Sequence, residues 1–223
     1  MDNVENPFDR REIAESYEAY FETEEGKEID NEEKQLIRSL VPKGNGKRLL
    51  DVGCGTGYFS RFLAGLDYNV TGLDFSEAML VVAKKKGGVN YLLGKAEELP
   101  FPDSSFHGAV LFTVLEFVKD PIMIIDELIR VADECIFIAI LNKWGPLNIK
   151  RYINNLWGKK DIFSAARFYS LSDMKKMIVK SSKNAGRRCD IKWGSALGPR
   201  VLSTTFTRAL FSEFILIRVE LKT

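Results

Sequence analysis

Histidine is almost missing: His107 is the only one in 223 residues. That excludes histidine-based metal centres and leaves no material for a Ser-His-Asp triad elsewhere in the chain. Cysteine is scarce too, with Cys54, Cys135 and Cys189 widely separated and odd in number. No disulfide framework or C-x-x-C metal knuckle can be drawn from them, so reduced thiols in a cytoplasmic protein are expected, without a bound metal. Charge of one sign is lacking as well: 32 Lys plus Arg face 31 Asp plus Glu, a net charge of +1. A nucleic-acid binder or a protein of anionic membrane surfaces normally carries a basic excess, so neither partner is expected. No apolar run approaches the roughly 20 residues of a membrane helix, and the longest, Cys135 to Leu141, has strand length. The stretch Met1 to Arg11 is polar and acidic, unlike a secretory signal. What remains is a chain with 45% hydrophobic and 28% charged residues, the balance of an ordinary globular domain.

Residues 1 to about 47 read as a helical cap, with Tyr17, Tyr20 and Phe21 on one stripe and Leu36, Ile37 and Leu40 at helical spacing before Pro42. From 48 to 141 strands and helices alternate. Leu49, Leu50 and Val52 form a strand, and Phe59, Phe62, Leu63 and Leu66 follow the spacing of an amphipathic helix. A second strand spans Asn69 to Leu73, with Ser76 as cap of the next helix, and a third spans Val89 to Leu93. Ala109 to Leu115 and Cys135 to Leu141 are nearly unbroken apolar runs, as strands covered on both faces require. A helix between them starts after Pro121. Residues 142–170, rich in aromatic and basic side chains, break the rhythm and read as a lid insertion with short helices. The segment 171–223 returns to a helix near Leu171 to Ser182 and strands near Cys189 to Trp193 and Phe214 to Leu221. Such alternation predicts a single α/β domain built on a parallel sheet with helices on both faces. Lys84, Lys85 and Lys86 read as the solvated end of a helix.

The segment Asp51-Val52-Gly53-Cys54-Gly55-Thr56-Gly57 turns a buried strand into a helix through three glycines, which permit unusual dihedrals and a close ligand approach. Asp74 follows Gly55 by 19 positions, at the end of the next strand, where an acid accepts hydrogen bonds from ribose hydroxyls. Together they indicate an adenosine-containing cofactor. The spacing is G-x-G-x-G rather than the dinucleotide G-x-G-x-x-G, and Asp51 would repel a pyrophosphate while suiting a cationic amine.

The loop resembles the first motif of class I S-adenosylmethionine-dependent methyltransferases, and Gly72-Leu73-Asp74-Phe75-Ser76 resembles their second-strand motif. Glu97 through Phe106 and Leu115-Glu116-Phe117-Val118-Lys119-Asp120-Pro121 are similar to segments of the ubiquinone/menaquinone-biosynthesis-like, or type 11, branch. The likeness covers roughly residues 12 to 141. It implies a Rossmann-like, doubly wound, seven-stranded sheet, mostly parallel with an antiparallel last strand. It also implies S-adenosylmethionine as cofactor, S-adenosylhomocysteine as product and a small-molecule acceptor. Carried onto this chain, the cofactor site comprises Asp51, Gly53, Cys54, Gly55, Gly57, Tyr58, Asp74, Phe75, Met79, Lys95, Ala96, Glu97 and Thr113. Three positions depart from the branch. Gly94-Lys95-Ala96 replaces Gly-Asp-Ala, Ser105-Phe106-His107 replaces Ser-Phe-Asp, and Leu115-Glu116-Phe117 stands where Leu-His-His is common.

Methyl transfer from a sulfonium is an in-line displacement for which positioning supplies much of the acceleration. Glu116 is the candidate base at the mouth of the fourth strand, while His107 falls at the opposite edge. Tyr17, Tyr20, Phe21, Trp144 and Tyr152 are candidate acceptor-site residues, joined in an aromatic lid by Trp157 and Phe168. Arg151 and Arg167 are candidates for an acidic substrate group. Two other readings stand beside transfer: a cofactor-binding regulatory domain without catalysis, and a nicotinamide-dependent oxidoreductase, which the glycine spacing and Asp51 oppose.

Overall fold

A computed structural model describes residues 7–158, 163–198 and 211–222. Parts of the expected cap, lid and C-terminal segment, at 1–6, 159–162, 199–210 and 223, lie outside the described residues. The strands are β1 (Arg48–Val52), β2 (Asn69–Asp74), β3 (Asn90–Leu93), β4 (Phe106–Phe112), β5 (Ala132–Leu141), β6 (Arg188–Ala196) and β7 (Phe214–Lys222). They form one seven-stranded sheet in the order β3-β2-β1-β4-β5-β7-β6. All pairs from β3 across to β5 are parallel, and β7 runs antiparallel to both β5 and β6. The chain winds outward from β1 to β3, then returns to lay β4 on the other side of β1. This reversal opens a crevice beyond the carboxyl ends of β1 and β4, where open α/β sheets bind ligands.

The helices are α1 (Arg11–Ser16), α2 (Glu24–Leu40), α3 (Tyr58–Ala64), α4 (Glu77–Lys86), α5 (Pro121–Val131), α6 (Pro146–Leu156) and α7 (Leu171–Asn184). Alternation along β5 shows how the sheet divides its core. Ile136, Ile138 and Ile140 face one layer with Ile125 and Leu128 of α5 and Ile178 of α7. Phe137 and Ala139 face the other, with Ile37 of α2 and Leu63 of α3. All of these are fully buried, so both faces of the central strands are covered, as the unbroken apolar runs require. Local capping sets the helix starts: Asp120 Oδ1 accepts from the N–H groups of Ile122 and Met123, and the Ser76 hydroxyl accepts from Met79 N–H.

Two features differ from the sequence reading. The fourth strand runs from Phe106 to Phe112 rather than from Ala109 to Leu115, because Thr113 takes φ +54° and Leu115–Phe117 coils into a 3-10 turn. Lys86 is more than a solvated helix end, for its ammonium meets Glu18 at 2.5 Å. Glu18 also accepts from the Thr56 hydroxyl at 2.6 Å and from Arg61 at 3.0 Å. The helical cap is thereby tied to the glycine loop and to α3 and α4.

Candidate active site

At the carboxyl end of β1 the chain must reverse into α3, and the end of β2 satisfies its backbone. Gly53 and Cys54 both donate to the Leu73 carbonyl, at 2.7 and 3.1 Å, and Gly55 N–H donates to Asp74 Oδ2 at 2.7 Å. The other Asp74 oxygen accepts from Ser76 N–H at 2.8 Å. Acid and loop are therefore one unit. Burial pushes the Asp74 carboxyl up while the N–H groups of Ser76, Gly55 and Phe75 pull it back. Asp74 also lines the adjoining cavity, where a carboxylate can accept further hydrogen bonds.

That cavity has a volume of about 610 Å³, within the range of small-molecule sites. Gly53, Gly55, Asp74, Phe75, Met79, Lys95, Ala96, Glu97 and Thr113, all expected at the cofactor site, line it, and so does Tyr17 from the expected acceptor set. Gly55, at φ +52°, has nothing within 4 Å of where a Cβ would stand, so its missing side chain is open cavity. Gly53 differs, because a Cβ there would lie 2.4 Å from Val114.

Four residues of the cofactor expectation sit away from the wall. Asp51 is only 2% exposed, behind the loop, with its Oδ2 held by the Ser60 hydroxyl at 2.5 Å. Burial, aided by the charge of Asp74, raises its pKa to about 7. Cys54 packs with Leu80, Ala83 and Tyr91. Gly57 caps α3 at φ +74°, where a Cβ would strike the Tyr91 phenol at 2.1 Å. Tyr58 stacks on Phe21 at 4.3 Å and accepts from Lys34 at 2.9 Å.

Most of the acceptor expectation lies off the wall as well. Phe21 is spent on Tyr58, while Tyr20, Trp144 and Tyr152 are 45%, 49% and 63% exposed and turn outward. Glu116 does not reach the cavity. Its Oε1 accepts from Leu141 N–H at 2.6 Å, its Oε2 is buried without a partner, and its neighbours Phe117 and Val118 form the wall instead. Burial, opposed by the Leu141 N–H, raises its pKa to about 7. His107 lies at the far end of the sheet, as expected, where its Nδ1 accepts from Arg48 N–H at 3.1 Å.

Sequence reasoning missed Phe8, Phe112, Val114, Phe117, Val118 and Lys119 on the wall. Phe8 meets Phe117 edge to face at 4.9 Å, and its carbonyl accepts from the Ser76 hydroxyl. A lone phenylalanine in a polar N-terminal stretch carries no periodic signal. Phe117 was visible as part of the fourth-strand motif.

A family model, the methyltransferase domain, matches residues 50–134, the segment that holds the loop, Asp74 and the cavity wall up to Lys119. Residues 50–134 carry a methyltransferase domain. A demethylmenaquinone methyltransferase of Listeria welshimeri is 35% identical to it over 153 residues, 65% of this chain and 61% of that protein. An uncharacterized protein of Methanocaldococcus jannaschii is 35% identical over 127 residues, 56% of each chain. This chain thus spans about three fifths of the length of the curated relatives it matches. Among solved structures, a SAM-dependent methyltransferase of Thermotoga maritima superposes with a TM-score of 0.74 at 25% identity, covering 94% of this chain and 97% of its own. These likenesses support a class I S-adenosylmethionine-dependent methyltransferase of the type 11 branch. Among the described residues no helix is long and apolar enough to cross a membrane.

Proposed function

We propose that the chain binds S-adenosylmethionine and transfers its methyl group to a small acceptor with an apolar body. The observation that carries this is the open space at Gly55 beside Asp74, in a cavity large enough for a nucleoside and a second molecule. When bound, the donor supplies an electrophilic methyl carbon on a sulfonium. An acceptor lone pair would take that methyl as the carbon–sulfur bond broke, with any proton on the acceptor atom passing to solvent. Asp74 would hold the ribose hydroxyls, and Phe75 and Met79 would flank the base. Ala96 and Glu97 read the edge of the base in place of the absent branch aspartate. Phe8, Tyr17, Phe112, Val114, Phe117 and Val118 exclude water and hold the acceptor in line, the orientation effect that lowers the barrier. The Listeria relatives, named for demethylmenaquinone, support an acceptor of this apolar kind. Glu116 acts from behind this wall by fixing Phe117 against β5, rather than by taking a proton from the acceptor. The free cysteines are in keeping with a cytoplasmic setting.

Calorimetry with S-adenosylmethionine, S-adenosylhomocysteine and NAD tests the donor site. Binding of the first two and not of NAD is expected, and the reverse overturns the reading. Labelled donor incubated with fractionated metabolites then tests transfer. Tight donor binding without labelled product in any fraction points instead to a binding module.

A further inference from the structure

Helix α6 is amphipathic in an inverted sense. Two of its polar residues turn inward: Asn148 is buried and donates to the Asn142 carbonyl at 3.0 Å, and Arg151 donates to Asn148 Oδ1 at 2.8 Å. The Arg151 guanidinium lies 4.0 Å over the ring of Phe163. Ile149 and Ile153, which share the opposite side at 100° per residue, are 38% and 47% exposed, and Tyr152 on the flank is 63% exposed. Trp157 at the C-terminal end is 81% exposed, and Trp144 just before the helix 49%. A contiguous apolar face of this kind marks an interaction site.

The tether of the helix explains why this face stays outward. Glu213 Oε1 accepts from Leu147 N–H at 2.7 Å, and Asn142 donates to the Ser212 carbonyl at 2.9 Å, so the first turn is pinned to the end of β7. Rotating the apolar side inward would break the Asn148 and Arg151 bonds and bury the Ile149–Ile153 side against the polar groups that now anchor the helix.

Charge identifies the occupant. The stretch from Lys143 to Lys160 holds five basic residues and no acidic one, in a chain whose net charge is only +1. Lys143 and Lys150 are exposed at the border of the apolar face. A second copy seated on this patch by two-fold symmetry would set these cations against their own mates. Outward apolar residues bordered by lysines, with tryptophan at both ends and tyrosine between, match a helix lying in a lipid headgroup layer. The balanced global charge conceals a local basic patch.

We propose that α6 is an interfacial anchor that seats the protein on an anionic phospholipid surface. Ile149, Tyr152, Ile153 and Trp157 sink to headgroup level, and Lys143 and Lys150 meet lipid phosphates. The anchor also bears on the cleft. Phe163, under Arg151, lies 5.9 Å from Phe117 on the cavity wall, so the helix stands beside the mouth of the cavity. The proposal does not depend on methyl transfer.

The test is sedimentation of the full chain with phosphatidylcholine vesicles, with and without about 30% phosphatidylglycerol, read together with tryptophan emission. Binding to the anionic vesicles with a blue shift is expected, reduced by salt at about 0.5 M. Ile153→Glu should weaken it roughly tenfold or more, and Lys150→Glu by at least about fivefold. Because both side chains are exposed, the variants should keep the thermal midpoint and donor affinity of the wild type. Failure to bind either vesicle, or equal binding by Ile153→Glu, overturns the proposal. So does a lowered midpoint in that variant, which would mean the chain covers the face itself. A concentration-dependent dimer abolished by Ile153→Glu without lipid would assign the face to a second copy. Donor binding measured on the same samples separates failure of the anchor from failure of the donor site.

Discussion

The rim of the sheet at β1 and β2 and the rim at β4 and β5 lie side by side but handle their polar groups differently. At the first, loop and acid satisfy each other: Asp74 takes two backbone N–H groups, and Gly53 and Cys54 share the Leu73 carbonyl. At the second, capacity is left over. Glu116 Oε2 and Glu213 Oε2 are buried without partners. Unsatisfied buried groups are costly, so a fold keeps them where shape is set by something else. The first rim is thus fixed by its own hydrogen bonds, while two carboxylates at the second hold unspent acceptors.

The sharpest way to break this contrast is to fill two glycines of the same loop. Gly55→Val places a branched side chain in open cavity, so donor affinity should fall by roughly 100-fold or more, with backbone strain of about 1–3 kcal/mol at φ +52°. Gly57→Ala should do the opposite. Its Cβ meets the buried Tyr91 ring, so stability should drop by about 2–4 kcal/mol. Calorimetry and thermal melts on both variants separate the roles, and equal donor loss in the two would erase the distinction.

The loop was legible in the sequence because its chemistry is local: three glycines, a strand before, a helix after and an acid at fixed distance. The sheet was legible because period and length agree, as in Ile136, Ile138 and Ile140. Legibility failed where an apolar run crosses a boundary. Val114 and Leu115 continue the hydrophobic pattern of β4, but the positive φ of Thr113 ends the strand, and hydropathy carries no trace of that. It failed again at α6, where aromatic residues were assigned to an inward lid. Composition reports that a face exists, not which way Asn148 and Glu213 turn it.

Glu116 offers the next test, at the second rim. A carboxyl whose folded pKa of about 7 lies above its unfolded value near 4.3 holds its proton more tightly when folded. Its stabilising contribution is whole below about pH 4 and is lost as pH rises toward 7. Glu116→Gln, which mimics the protonated form, should therefore be more stable than wild type at pH 8, by about 2–3 kcal/mol, and similar near pH 4. Denaturant melts across this range check it. Asp51 titrates in the same window, so some slope should persist in the variant. Transfer should stay within about tenfold of wild type; a loss beyond the 10²–10⁴ typical of a missing base would make Glu116 catalytic after all.

At the first rim Asp74→Asn keeps one carbonyl oxygen for Gly55 or Ser76 but turns the other position into a donor. Donor binding should weaken by about 1–3 kcal/mol through loss of charge-assisted bonds. Unchanged affinity would remove Asp74 from the site.

The smallest effect belongs to the opposite end of the sheet. His107 lines a separate hollow of about 410 Å³ with Lys43, Lys47, Cys135 and Arg218, beyond the amino ends of the parallel strands. Its Nδ1 accepts from Arg48 N–H, which fixes the ring proton on Nε2. His107→Ala leaves that exposed N–H to water, so a stability loss of about 1 kcal/mol is expected and donor affinity should not change. The substitution discriminates between two accounts of the sheet. If ligand chemistry is confined to the carboxyl rim, as strand order and switch point dictate, only the melt should move. If donor affinity moves with it, the two ends are coupled through β1 and β4, and the division of the molecule into a binding rim and a supporting rim fails.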